Sequence, residues 1–179
     1  MPSSINRSPL EVAFARCFAR WGDVLFPFLL LRLVLRPLGY SGHDARWDWY
    51  IGIALAAILN AIQEAVWGTT LHKNLFGLQI RQRGGELPSV FQALLRELHA
   101  TAYGMACGFP LAIPIAHFIG GLPVLKRHRT AWDRKWHLHV RIEGDTVGDY
   151  RGRYLLRIVG AMSVLIQSAL ALFWAAEYY

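Results

Sequence analysis

The residues most able to do chemistry in this chain are charges placed inside apolar runs. Asp23 lies within a run from about Phe14 to Leu38, and Glu64 lies near the end of a second, from Trp49 to Trp67. An ionised carboxylate inside a bilayer costs on the order of 3 kcal/mol unless it is paired or faces a polar interior. Arg16 precedes Asp23 by two helical turns on the same face, so the two side chains start about 10 Å apart along the axis. Asn60, Gln63, Glu64 and Trp67 share a face of the second run through their i, i+3 and i+4 spacing. Two passes return the chain to its starting side, so Asp23 and Glu64 belong to the same half of the bilayer. Lys73, Arg129 and Asp133, in the basic loops, complete the set. Two roles fit it: a polar path for a proton or ion, and an ion-pair latch of Arg16, Asp23 and Asp133 fixing the first helix against a loop.

Other chemistry is weakly supported. Lys73 in GTTLHKN lacks the G-x-x-x-x-G-K-[ST] spacing of a phosphate loop. His137 and His139 alternate as on the solvated face of a strand, with no acidic or Cys partner at ligand spacing. His99 and His117 are lone histidines on different segments. Cys17 and Cys107 sit in apolar runs as small buried thiols. No Ser/His/Asp or Cys/His arrangement stands out. The expectation is a non-enzyme without metal or cofactor. The net charge of +7 resides in loops flanking apolar runs, a membrane pattern and not a nucleic-acid one.

The elements that must position these residues follow from hydropathy. The chain of 179 residues is 54% hydrophobic and only 17% charged, where a soluble domain carries about 25% charge. The span from Arg16 to Arg36 covers ~30 Å as a helix, enough to cross, and Trp49 to Trp67 covers ~27 Å. Arg32 is expected to snorkel outward. The first run is interrupted by Arg16, Arg20 and Asp23 and reads as a retained anchor, not a cleaved signal. Trp47, Trp49 and Tyr50 form an interfacial belt, and Trp174, Tyr178 and Tyr179 form another after the last apolar segment, Leu155 to Trp174.

Between these lies 90–125, which fits either one span preceded by an amphipathic helix bearing Arg96, Glu97 and His99, or a hairpin broken near Gly108 and Pro110. Loop charge favours the hairpin, because it gathers fourteen Lys and Arg on one side and leaves only Arg46 on the other. HLHVRI alternates with a period of two, GLQIRQRGGEL reads similarly with Leu78 and Ile80 apolar, and the two predict short strands, the latter closed by a turn at Gly84-Gly85. No internal repeat is evident. The fold class is thus an all-α membrane protein of four to five membrane-embedded helices with a small cytoplasmic loop/β layer.

RCFARWGD places Arg16, Ala19 and Asp23 at R-x-x-A-x-x-x-D spacing. EAVWGTTLHKNLFGLQI is similar to E-x-x-x-G-x-T-x-G-K-x-L-x-G-L-x-V, with His72 in place of the glycine before Lys73. RTAWDRKWHLHV is similar to R-T-x-W-D-x-x-x-G-T-x-V, with His137-Leu138 in place of Gly-Thr. Taken together, the three motifs resemble the RDD family of small bacterial and archaeal membrane proteins. The resemblance implies an integral membrane protein, with transport proposed for the family and no general biochemical activity. The expected organisation is an RDD-like membrane domain over 1–142, a loop over 143–152 and an additional transmembrane helix over 153–179. The expected location is a bacterial or archaeal inner membrane, with a cytoplasmic N-terminus. Two functions remain open: a transporter or transport component for an ion or small solute, and an accessory or scaffolding subunit bound to another membrane protein or to further copies of itself.

Overall fold

The computed structural model describes residues 8–35, 45–104, 116, 119, 130–142 and 150–176. Helix α1 spans Pro9–Leu35 and begins at a reciprocal cap: Ser8 Oγ accepts from Glu11 N, and Ser8 N donates to Glu11 Oε2, each at 3.2 Å. Helix α2 spans Ala45–Trp67 and stops at Gly68, whose φ of 73° is in the left-handed region open to glycine. A Cβ at Gly68 would also stand 2.8 Å from Leu87 Cδ2. A short helix α3 (Leu71–Leu75), strand β1 (Leu78–Gln82) and helix α4 (Val90–Gly104) follow. The chain continues through a short helix α5 (Ala131–Lys135), strand β2 (Leu138–Ile142) and helix α6 (Tyr150–Ala176).

Strands β1 and β2, both expected from the alternating patterns, pair antiparallel with Ile80 opposite Val140. Leu78, Ile80 and Leu138 are fully buried. Leu78 and Val140 pack with Ala15 and Ala19 of α1 and with Phe76, so the sheet lies against the start of the first helix.

A repeat emerges that the residue identities conceal. In the first unit Thr70 caps a five-residue helix, Gly77 follows with φ 68°, and five strand residues begin at Leu78. In the second Thr130 caps a five-residue helix, His137 follows with φ 55°, and five strand residues begin at Leu138. Thr70 and Thr130, Leu78 and Leu138, and Arg81 and Arg141 correspond, each pair 60 positions apart. Since Ile80 and Val140 correspond and also face each other in the ladder, the units are related by a local two-fold. The absence of a repeat expected from sequence is therefore corrected. His137 occupies the left-handed position that its counterpart fills with glycine, which explains why the resembling motif carries glycine there.

Burial runs inside out. Asp23, Glu64, Lys73, Arg96, Glu97 and Asp133 are buried, while Leu33, Val66, Phe91, Leu155, Leu165 and Ile166 are exposed. A bilayer solvates such a surface and water does not. Among the described residues one helix, Asp48–Trp67, is long and apolar enough to cross a membrane, and Leu155–Leu170 is a shorter apolar helix. Helix α4 covers the amphipathic stretch expected ahead of a single span; the choice between span and hairpin rests on 105–129, outside the described residues apart from 116 and 119. Arg36, Arg129, Cys107, His117, Tyr178 and Tyr179 also lie outside them.

Candidate functional site: a buried charge cluster

The site is built where α1, α2, α3, α4 and α5 meet. Helix α4 turns Ala93, Arg96, Glu97 and Ala100 inward, the i, i+3, i+4, i+7 face of one helix, and leaves Phe91, Leu98 and Tyr103 outside. The small alanines let the backbone approach α2, so the Arg96 and Glu97 side chains reach the centre. Arg96 bridges three carboxylates: Nε donates to Asp133 Oδ1 at 2.9 Å, and Nη1 donates to Glu64 Oε1 at 2.9 Å and Glu97 Oε1 at 2.8 Å.

Lys73 does the same from α3. Its Nζ lies 2.7 Å from Glu64 Oε1, 3.1 Å from Asp23 Oδ2 and 3.5 Å from Glu97 Oε1. Burial alone would lower the affinity of this amine for its proton, but the Asp23, Glu64 and Glu97 carboxylates outweigh burial and raise its pKa above the ordinary value. Arg16 donates to Asp133 Oδ2, and Arg20 donates to Glu97 Oε2 and, at 2.7 Å, to Thr101 Oγ1. Four acids and four bases thus balance. Glu64 Oε2 is buried and has no hydrogen-bond partner among the described residues.

The local two-fold explains why two aspartates are needed. Asp133 is the third residue of α5, and its carboxylate accepts from Thr130 N (3.4 Å) while Thr130 Oγ1 accepts from Asp133 N (3.3 Å). The equivalent residue of α3 is Lys73, which has no acceptor to offer. Asp23 supplies the carboxylate from α1 instead: Oδ2 accepts from Thr70 Oγ1 at 2.6 Å and Oδ1 from His72 N at 3.3 Å. Arg16 and Asp23, two turns apart on α1, therefore each serve one unit. Burial would raise the Asp133 pKa, yet the Arg16 and Arg96 guanidinium groups and the Thr130 bond hold it at about 2. Because that lies below the unfolded value, Asp133 stabilises the fold above the ordinary carboxylate range and loses this contribution as pH falls toward 2.

Several expectations change. Arg16 pairs with Asp133 across the fold and Asp23 with Lys73, in place of an Arg16–Asp23 pair; the two-turn separation along α1 suits two partners, not one contact. Arg32 does not simply snorkel: its Nη2 donates to the buried Asp48 Oδ2 at 2.8 Å. The polar face of α2 divides, with Asn60 and Glu64 buried and Trp67 63% exposed. Asn60 Nδ2 donates to the Asp23 carbonyl at 3.4 Å, tying α2 to α1. Asp23 and Glu64 do share one region, on either side of Lys73. Arg20, Arg96, Glu97 and His72 escaped the sequence reading as members of the cluster. The signal for two of them was the alternation of alanine and charge on one face of α4.

Helix α6 packs on α1 and α3 through Gly160, Val164 and Gln167, one helical face. A Cβ at Gly160 would stand 3.2 Å from Leu75 Cβ and from the Phe76 ring. No curated protein and no solved structure matches the chain. The sequence model of the RDD family matches residues 10–137, a range that holds the whole charge cluster, the first helix–strand unit and helix α5 of the second, but neither β2 nor α6. The chain belongs to the RDD family of membrane proteins.

Proposed function

We propose that this is a polytopic, non-catalytic component of proton-linked transport of an ion or small solute, with the charge cluster as its proton-handling centre. The observation that carries the reading is the convergence of Asp23, Glu64 and Glu97, from three helices, on the one ammonium of Lys73. Three carboxylates held in a low-dielectric site repel one another, and either Lys73 or a proton relieves that repulsion. Displacement of the ammonium would therefore be coupled to proton uptake by these carboxylates, Glu64 Oε2 being buried without a hydrogen-bond partner among the described residues.

The membrane arrangement belongs to the same proposal. Helix α1 carries Arg16, Arg20, Asp23 and Arg32 within its apolar run, and each of these charges has a partner. In this reading α1, α2 and α6 are embedded, and the single span or hairpin expected from the sequence over 90–125 brings the number to four to five. The charge split of the loops puts the N-terminus and both helix–strand units on the cytoplasmic side of a bacterial or archaeal inner membrane.

A second reading, an accessory subunit anchoring another membrane protein, draws on a different observation: the acids and bases of the cluster balance, as a static latch requires. Proteoliposomes separate the two. For transport, wild type carries flux coupled to an imposed pH gradient, and the near-isosteric Asp23→Asn, purified intact, loses it. If wild type moves no proton, sodium or potassium under imposed gradients, ion transport is excluded and the anchoring role gains. Co-purification of one membrane partner at fixed stoichiometry, unchanged by Asp23→Asn, is its positive result.

A further inference from the structure

His72 stands next to the cluster and takes no part in its charge balance. Its ring fills the space left by Gly22 of α1, where a Cβ would lie 2.2 Å from His72 Cδ2. Nδ1 lies 3.4 Å from Asp23 Oδ1, and Phe26 closes one edge of the ring at a centroid distance of 6.2 Å. On the far side Nε2 meets Gln167 Nε2 of α6 at 3.2 Å, and Gln167 Nε2 also donates to Ser163 Oγ at 3.0 Å. An amide nitrogen offers only hydrogens, so His72 Nε2 is the acceptor and the proton of the neutral ring sits on Nδ1, facing Asp23.

The other end of the same amide is unused. Gln167 Oε1 is buried with no hydrogen-bond partner among the described residues. Turning the amide by half a rotation would present Oε1 to His72 Nε2, and that contact is favourable only if Nε2 carries a proton. Nδ1 is buried and makes no hydrogen bond among the described residues, and the Asp23 carboxylate 3.4 Å away favours the proton staying on it. The flipped amide therefore belongs to an imidazolium. The charged groups around the ring are Asp23 from α1 and Lys73 from its own helix, with Glu64 of α2 on the far side of Lys73. Helix α6 presents Gln167 and Ser163, both uncharged.

We propose that His72 is a proton-binding site and that Gln167 registers its charge by the orientation of its amide, coupling α6 to the cluster. The proton comes from water and adds to Nε2, no bond other than N–H is made, and the added positive charge falls beside Asp23. Competition between imidazolium and Lys73 for that carboxylate is the consequence. Since Gln167 lies beyond the residues matched by the family model, this coupling is a property of the chain's own C-terminal helix. It does not depend on flux, and a protein that moves no ion can still bind this proton.

The test is nitrogen-15 spectroscopy of the full chain in lipid nanodiscs with labelled histidine, the His72 signals being those lost in His72→Asn. Expected for wild type is a neutral ring protonated at Nδ1 at high pH and a doubly protonated ring at low pH. Gln167→Glu, which offers Nε2 only acceptors, should shift the midpoint upward. Gln167→Met, which offers none, should shift it downward. A His72 ring that stays neutral at every pH at which the protein remains folded overturns the proposal, and so does an Nε2-protonated neutral tautomer in wild type. A midpoint that neither Gln167 variant moves removes the coupling to α6. The wild-type titration decides the first point even where a variant fails to fold.

Discussion

Arg96→Met should destabilise the protein on the order of 3–5 kcal/mol, more than any other single removal of a cation from the cluster. The reason is geometric. One guanidinium contacts Glu64, Glu97 and Asp133, which come from α2, α4 and α5, and no water-exposed alternative exists for carboxylates buried to this degree. Methionine keeps most of the volume and the helix propensity of α4, so the loss reports charge and bonding, not packing. Arg96→Lys should fall between the two, since an ammonium keeps the charge but loses the planar fork that spans three partners. Arg83→Met, at an exposed position, is the control and should stay within about 0.5 kcal/mol. Reversible unfolding in detergent reads all three. Wild-type stability in Arg96→Met would mean that the carboxylates do not depend on this cation.

Gly22→Ala is the second large effect, and its sign is diagnostic. Within a helix, glycine to alanine ordinarily stabilises by up to about 1 kcal/mol. Here the new methyl would stand 2.2 Å from Cδ2, 2.5 Å from Cγ and 2.6 Å from Nε2 of His72. The ring cannot move away, being held between α1 and Gln167, so α3 must be pushed from Asp23. The expected result is a loss at or above the usual 1–3 kcal/mol of overpacking. Removing the ring should repair it: Gly22→Ala/His72→Ala should be more stable than Gly22→Ala alone, although His72→Ala in the native background leaves a cavity and a buried amide without its acceptor. Additive losses across this cycle would show that the two positions do not touch.

How much of this was legible in the sequence depends on whether a signal was local. The two strands were readable because alternation is a local property of consecutive residues, and the turn closing the first because the Gly84-Gly85 pair answers a backbone need, Gly85 having a φ of 92°. The membrane character was readable from hydropathy. The shared location of Asp23 and Glu64 followed from counting two crossings. The partners of those charges were not legible. Arg16 and Asp133 are 117 residues apart, and nothing in the spacing on α1 says which of the distant acids each arginine takes. Arg96 and Glu97 looked like the polar face of an interfacial helix, since charge on an amphipathic helix ordinarily faces water. In a lipid-facing surface that rule reverses, and the flanking Ala93 and Ala100 were the clue. The repeat was hidden because its units share only Thr, Leu and Arg, and because Lys73 and Asp133, of opposite charge, occupy the same position. Their opposition is what lets one unit cap itself while the other borrows a carboxylate from α1.

The central claim is that Lys73 is buried in contact with carboxylates from separate helices. The chain has three lysines, Lys73, Lys126 and Lys135, which makes the ammonium nitrogens separable. Dipolar dephasing between labelled lysine Nζ and the side-chain carboxyl carbons of Asp and Glu, measured on the protein in lipid, tests it most directly. The structure predicts one lysine signal that is strongly dephased by both Asp and Glu labels, at separations set by contacts of 3.1 Å to Asp23 and 2.7 Å to Glu64, and that vanishes in Lys73→Met. A Lys73 signal untouched by either label would contradict the account.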